Sequence, residues 1–422
     1  MSLPLSLTLY RAATTALEPL APLLLERRAK AGKEDRARLN ERLGRPTKPR
    51  PAGPLVWLHG ASVGESLSIL PLVERLRAER PDVAVLVTSG TVTSAELLAR
   101  RLPAGAVHQY LPVDTPGGAR RFLDHWRPDL AVFVESELWP NLLLAAKARG
   151  VTLALVSAKL SDKSYKRWQA RPFAAGRLLG GFDLILAQDG RAAERLTSLG
   201  GMVGGEADLK FGAAPLPADK TVLADLRARL GDRPLLLAAS THPGEDEIVL
   251  AAWRALSPRP RLVIAPRHVE RGPAILEIAR PTGASAALLS AEPEATADII
   301  VADTLGELGL WYRLADLALV AGSLVPGIGG HNPLEPARLD CPIVSGPHVE
   351  NWLTAYADLR AVDGAAFADA PVLGERLGRM LAEPEIVKLR ATRAQAFVTG
   401  RDAEARAGLD RILALLPTRA AP

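Results

Sequence analysis

Glu65 ends the stretch His59-Gly60-Ala61-Ser62-Val63-Gly64-Glu65, which leaves an apolar strand and enters a helix, so its carboxylate projects near the top of a sheet and could act as a base. Ser62-Val63-Gly64-Glu65 also reads as a capping box, in which that carboxylate only closes the first helical turn. Glu135 and Glu137, in Glu135-Ser136-Glu137-Leu138-Trp139-Pro140-Asn141, end a buried apolar strand. Charges there cost free energy unless paired or used, and a structural ion pair or a substrate contact would satisfy them equally. Lys210, in Asp208-Leu209-Lys210-Phe211, falls just before a linker and is expected near the floor of a cleft, where an ammonium suits a phosphate or a carboxylate. A lone lysine is more often simply solvated.

A second set of residues has the chemistry of a nucleotide site. Gly322-Ser323-Leu324-Val325-Pro326-Gly327-Ile328-Gly329-Gly330-His331-Asn332-Pro333-Leu334-Glu335 follows an apolar strand and opens a helix. Glycines let the backbone approach a ligand closely, and first-turn amides are unpaired donors. Asn332 is expected as the N-cap, Pro333 as the first helical residue and Glu335 as the third, which again permits a plain capping box. Ser240-Thr241-His242-Pro243-Gly244-Glu245 and Pro266-Arg267-His268 supply hydroxyls, a cation and imidazoles at two further strand ends. Five of the seven histidines, His59, His242, His268, His331 and His348, lie in Gly- or Pro-containing loops, which favours ligand contacts over packing. No His-Glu-x-x-His or Asp-x-Asp spacing points to a metal, so phosphate charge falls to Lys210, Arg267 and helix N-termini.

These loops need rigid elements behind them. Apolar runs at 55–59, 83–88, 130–134, 152–156 and 184–187 alternate with helical-period stretches, the βαβ rhythm of buried parallel strands. Gly212 to Lys220, with Pro215 and Pro217 among alanines, reads as a linker, after which the rhythm restarts at 235–239, 261–265, 299–302, 317–321 and 342–344. The expected fold class is α/β, two Rossmann-like doubly wound domains facing an interdomain cleft, with ligands at the carboxyl ends of the strands. The expected division is an N-terminal segment 1–50, a first domain 51–212, a linker 213–220, a second domain 221–383 and a helical segment 384–422 that packs back on the first domain.

The 422-residue length, with 48% hydrophobic content, fits two cores. Cys341 alone allows no intrachain disulfide and reads as a small apolar strand residue. The net charge of +5 is local: residues 26–50 hold ten Lys or Arg against four Asp or Glu, so that segment is +6 and the remainder −1. Before it, residues 3–25 are rich in Leu and Ala but interrupted by Pro4, Arg11, Glu18, Pro19 and Pro22, which argues against a spanning helix. An interfacial apolar helix followed by Arg27, Arg28, Lys30, Lys33, Arg36 and Arg38 would hold a protein on an anionic membrane surface. A core helix followed by a solvated one is the other reading. Nucleic acid is not expected as a partner, because no aromatic residues alternate with these charges.

Taken in order, Lys33-Glu34-Asp35 with Arg42-Leu43-Gly44, Ser62-Val63-Gly64-Glu65, Tyr110-Leu111-Pro112-Val113-Asp114, Glu135 to Asn141, Leu160-Ser161, Leu209-Lys210-Phe211, Ser240-Thr241-His242, Pro266-Arg267-His268, Gly306-Glu307 and Gly330 to Glu335 resemble the 3-deoxy-D-manno-octulosonic acid (Kdo) transferases of lipopolysaccharide assembly over nearly the whole chain. The resemblance implies a GT-B architecture, monotopic attachment to the cytoplasmic face of the inner membrane, and transfer of Kdo from CMP-Kdo to a lipid A precursor, with no cofactor and no metal. It implies Glu65 as the base and Glu135 and Lys210 as stabilisers of the transition state. CMP contacts fall on Pro266, Arg267, Leu305, Gly306, Glu307, Asn332, Pro333, Leu334 and Glu335, and His268, Ser240, Thr241 and Gly330 join them from the same loops. Against the family pattern, the loop ending at Gly330 is one residue longer, Asp208 replaces a neutral polar residue, and Ser89 to Ser94 departs from a Thr-rich version. A nucleotide-sugar epimerase of the same two-domain architecture is the alternative.

Overall fold

The computed structural model describes residues 3–417. They divide into two compact units, Met1–Ala213 with Arg401–Pro422 and Ala214–Gly400.

The first unit is built on seven strands: β1 (Leu55–His59), β2 (Ala84–Ser89), β3 (Ala106–Tyr110), β4 (Leu130–Val134), β5 (Thr152–Ala158), β6 (Leu184–Ala187) and β7 (Val203–Glu206). All are parallel, in the order β3-β2-β1-β4-β5-β6-β7. The central strands are apolar throughout because helices cover both faces of the sheet. On one face Trp57 packs against Phe122 and Phe133, with ring centroids 4.8 and 4.9 Å apart. On the other face Val56, Leu58 and Val132 meet Ile69, Leu72 and Val73 of the helix Val63–Glu79. The chain's last helix, Pro384–Leu413, contributes Leu409 and Ile412 to that second layer.

The second unit repeats the plan with β8 (Leu235–Thr241), β9 (Arg261–Pro266), β10 (Ala286–Leu288), β11 (Ile299–Val301), β12 (Leu317–Val320), β13 (Ile343–Ser345) and β14 (Ala366–Phe367), in the order β10-β11-β9-β8-β12-β13-β14. The strand order reverses direction between β1 and β4 in one sheet and between β8 and β12 in the other. Loops diverge at such a reversal and leave a crevice at the strands' carboxyl ends.

Strands β3, β7, β10 and β14 were not expected from the sequence. Strand β3 ends in the polar His108-Gln109 pair, β7 contains Gly204 and Gly205, and the other two have three and two residues. Each offers too little apolar signal and forms because a neighbouring strand presents its free edge. The stretch 213–220, expected as a linker, is docked: Leu216 and Ala218 pack on the core of the second unit, and Arg313 donates to the Leu216 carbonyl at 2.8 Å.

At the N-terminus, Pro-interrupted helices span Leu5–Leu17 and Ala21–Lys30. Leu7 is buried against Ala174 and Leu178, and the Tyr10 hydroxyl donates to Asp114 at 2.9 Å. Leu5, Leu9, Leu17, Leu20, Leu23 and Leu24 are exposed. Among the described residues no helix is long and apolar enough to cross a membrane. The basic segment is not uniformly free: Arg28 and Arg42 share Glu34, and Arg38 pairs with buried Glu41, whereas Arg27, Lys30 and Lys33 remain exposed.

Candidate active site

In the first unit the loop after β1 turns at Gly60, where a Cβ would meet Cδ1 of Ile69 at 2.7 Å and the backbone of Glu65 at 2.9 Å. The helix Val63–Glu79 begins at Ser62, whose hydroxyl accepts from the Glu65 N–H at 3.3 Å. Glu65 folds back on this turn, accepting from the Ala61 N–H at 2.7 Å and the Ser62 hydroxyl at 2.9 Å. The capping role is therefore real, but the environment is not that of a surface cap. Burial pushes the Glu65 carboxyl above its ordinary range, and the negative charges of Glu137 and Glu135 push the same way, against the two hydrogen bonds. A shift in this direction makes the carboxylate more basic than an ordinary glutamate, as suits a general base.

Those neighbours come from the end of β4. Glu135 adopts φ +62°, a left-handed conformation costly for a residue with a Cβ and characteristic of functional turns. Its Oε1 lies 3.2 Å from Lys210 Nζ and 2.9 Å from Lys159 Nζ. Burial works against the Lys210 charge, but Glu135, Asp208 and Glu65 outweigh it, and the ammonium is held above its ordinary value. Asp208, the departure from the family pattern, is buried; it accepts from Gln188 at 2.8 Å and from the Lys210 N–H at 3.0 Å. Glu137 accepts from Trp139 Nε1 at 2.5 Å, and its Oε2 lies 3.2 Å from Nε2 of fully buried His59, whose Nδ1 is 2.9 Å from Thr88 Oγ1. The structure thus brings Glu65, Glu135 and Lys210 together at the β1/β4 reversal, with Glu137 beside them.

In the second unit the end of β8 holds Ser240 at φ +61° and buried Thr241, whose carbonyl accepts from the Arg267 N–H at 3.0 Å and from Arg271 at 2.9 Å. His331 donates to the Ser240 carbonyl, and its Nε2 lies 2.9 Å from Nε2 of His242, the rings stacked at 5.1 Å. Burial, then His242 and the Arg267 charge, push His331 down to about 4, and burial lowers His242 as well. Glu335 is raised by burial, against its bond from Asn332 and the charges of Arg338 and Arg267. Arg267 therefore lies within electrostatic reach of both His331 and Glu335, and His268 within reach of His331. Pro266 ends β9 and is buried, whereas Arg267 and His268 are exposed. Leu305, Gly306 and Glu307 form a separate turn before the helix Leu308–Leu314; Leu305 is 81% exposed and Glu307 accepts from Thr304.

The helix expected to open at Pro333 instead runs Leu334–Arg338. Asn332 Oδ1 accepts from the Leu334 N–H at 3.0 Å and its amide donates to Glu335 at 3.3 Å, so the capping chemistry is present one residue later. What shapes the glycine-rich loop is Glu245, fully buried, which accepts from the N–H groups of Gly322, Ser323 and Leu324 at 2.8, 3.0 and 2.9 Å and from His242 at 3.0 Å. Gly322 has φ +72°, and a Cβ there would meet the His331 ring at 2.7 Å. Glu245, Lys159 and Arg271 escaped the sequence reading. A carboxylate after His-Pro-Gly looks like a helix cap, and only the fold reveals whose amides it receives.

The family described as 3-deoxy-D-manno-octulosonic-acid transferase (kdotransferase) matches residues 37–213. The 3-deoxy-D-manno-octulosonic acid transferase of Bordetella pertussis is 35% identical over 423 residues, covering 94% of this chain and 97% of that protein. The C-terminal CMP-Kdo binding domain of the Acinetobacter baumannii protein is 32% identical, with 97% of that domain and 43% of this chain covered and a TM-score of 0.39. The UDP-GlcNAc 2-epimerase from Neisseria meningitidis reaches a TM-score of 0.50 at 14% identity, covering 85% of this chain and 99% of that one, a likeness of fold alone. Identity of this order across nearly the full length of a relative, on two seven-stranded parallel sheets, shows that the chain belongs to the 3-deoxy-D-manno-octulosonic acid transferase family and is a glycosyltransferase of GT-B architecture.

Proposed function

We propose that the protein transfers Kdo from CMP-Kdo to a sugar hydroxyl of a lipid A precursor, with Glu65 as base, Glu135 and Lys210 as stabilisers of charge at the reacting centre, and the second unit as the nucleotide site. The observation that carries this reading is the Glu65 carboxylate, half-buried in a helix's first turn and pushed up by that burial and by Glu137, beside the Glu135–Lys210 pair. Glu65 takes the proton from the acceptor hydroxyl as that oxygen bonds to the anomeric carbon. The bond from that carbon to the donor phosphate breaks, and CMP departs with the electron pair. One displacement of this kind inverts the anomeric configuration.

Positive charge develops on the sugar ring in the transition state, and Glu135 is the anion placed to meet it. Arg267 is assigned to the leaving phosphate without a metal ion. Arg267, His268, Pro266, Glu335, Asn332, Pro333, Leu334 and Gly330, with Ser240, Thr241 and the turn Leu305-Gly306-Glu307, make up the proposed nucleotide surface. The exposed leucines of Leu5–Leu17 and Ala21–Lys30, flanked by exposed Arg27, Lys30 and Lys33, support attachment to an anionic membrane face, proposed as the cytoplasmic side of the inner membrane.

Incubation of the purified protein with CMP-Kdo and a tetraacyl lipid A precursor tests this, with the lipid products weighed by mass spectrometry. A precursor carrying added Kdo is expected. Release of CMP with no modified lipid, or conversion of a nucleotide sugar without any acceptor, would overturn the reading.

A further inference from the structure

Glu135 Oε1 meets two ammonium groups, Lys159 at 2.9 Å and Lys210 at 3.2 Å. A structural ion pair at the end of a strand needs one counter-ion, and here a single oxygen has two. Two cations share one carboxylate oxygen, with Asp208 and Glu65 acting on Lys210 from outside the triad, and each ammonium has three donors, more than one shared oxygen can engage. Side-chain exposure divides in the same sense: 36% for Lys159 and 32% for Lys210, but 13% for Glu135. The carboxylate is the buried spacer, and the cations reach outward.

The backbone is built to hold both lysines. Strand β5 is irregular near its end, its register with β6 shifting between Leu155 and Ala158, and Ser157 takes φ +48°. A side-chain-bearing residue stays in that region only where its surroundings impose it. Here the Ser157 hydroxyl, buried, accepts from the Leu209 N–H at 2.8 Å. The irregularity that aims Lys159 thereby also fixes the residue before Lys210.

We infer that Lys159 and Lys210 together bind the carboxylate of the donor sugar, so that Lys159 is a donor-binding and specificity-determining residue. An ulosonic acid carries its carboxylate on the anomeric carbon, so a cation pair that holds it also fixes the reacting carbon's position. With Lys159 sharing the Glu135 oxygen, Lys210 keeps donors to offer the ligand; without it, Lys210 is the one cation of the pair left on that oxygen. The inference rests on the assignment of Glu135 and Lys210 to the reacting centre.

The test compares full-length Lys159→Met, Lys159→Arg and Lys210→Met by steady-state kinetics with CMP-Kdo and by inhibition with free CMP, which has the phosphate but no sugar carboxylate. Lys159→Met is expected to raise KM for CMP-Kdo by about tenfold or more while inhibition by CMP stays within about twofold, and Lys159→Arg to recover KM to within about threefold of the parent. Equal loss of CMP inhibition would assign Lys159 to the phosphate and overturn the inference, as would an unchanged KM with an inactive Lys210→Met. Full turnover by Lys210→Met would instead remove the underlying assignment of the reacting centre. Lys159 is one-third exposed, so its replacement is expected to leave the thermal unfolding curve unchanged.

Discussion

Glu65 shows how one residue satisfies two readings at once. Its carboxylate closes a capping box, and the same turn places it against Glu137 and Glu135, which with burial raise it above the ordinary glutamate range. A base works when deprotonated, so the rate falls as pH drops through that raised value. Glu137→Gln removes the stronger of the two like charges, and the acid limb of the kcat/KM profile is expected to move to lower pH. A limb that stays in place contradicts the coupling. Glu65→Gln keeps the hydrogen-bonding shape but loses the base; kcat should fall about 10²- to 10⁴-fold with CMP inhibition preserved. His108 makes a separate point about charge. Burial, then the Arg38 and Lys48 charges, push it down to about 3 from 6.5, so it is neutral in the fold. The unfolded chain takes up a proton that the folded one refuses, and stability is therefore lost as pH falls below 6.5 toward 3. His108→Gln should flatten the decline of the unfolding midpoint over that interval.

At the scale of elements, each unit holds strand ends in left-handed backbone: Glu135 after β4 and Ser157 in β5 in the first, Ser240 in β8 in the second. The glycine-rich loop after β12 closes on itself through the Gly330 N–H to the Gly322 carbonyl at 2.8 Å, and Glu245, at the start of the helix after β8, receives the next amides of the loop. Glu245→Gln turns an acceptor oxygen into an amide donor that faces backbone N–H groups. The expected cost is about 1–3 kcal/mol of stability, with weaker CMP inhibition, measured by thermal unfolding and by titration. Equal CMP inhibition in the variant would show that the clamp supports the fold but not the nucleotide.

For the whole molecule, the exposed leucines of the N-terminal helices are the feature that its own core does not explain. Leu7 and Leu25 anchor these helices, whereas Leu5, Leu9, Leu23 and Leu24 are 74%, 60%, 73% and 57% exposed. Each leucine moved into a bilayer interior is worth about 1.5–3 kcal/mol. Replacing Leu5, Leu9, Leu23 and Leu24 with Ser should abolish sedimentation with anionic vesicles while Kdo transfer to a detergent-dispersed acceptor continues. Undiminished sedimentation would remove these helices from the membrane contact.

The sequence by itself determined the α/β class, the two series of buried strands and the loops that carry Glu65, Glu135, Lys210, Arg267 and Glu335. It did so because apolar runs of strand length and Gly-, Pro- and carboxylate-bearing turns are local signals, written within a few residues. Only the tertiary structure decided the strand order that brings the ends of β1 and β4, and those of β8 and β12, side by side. It alone revealed that Lys159 shares an oxygen with Lys210 and that Glu245 receives the amides of a loop far along the chain. Those partnerships join residues distant in sequence, and their energy comes from burial and converging charge, which offset the backbone strain and which no window of neighbouring residues contains.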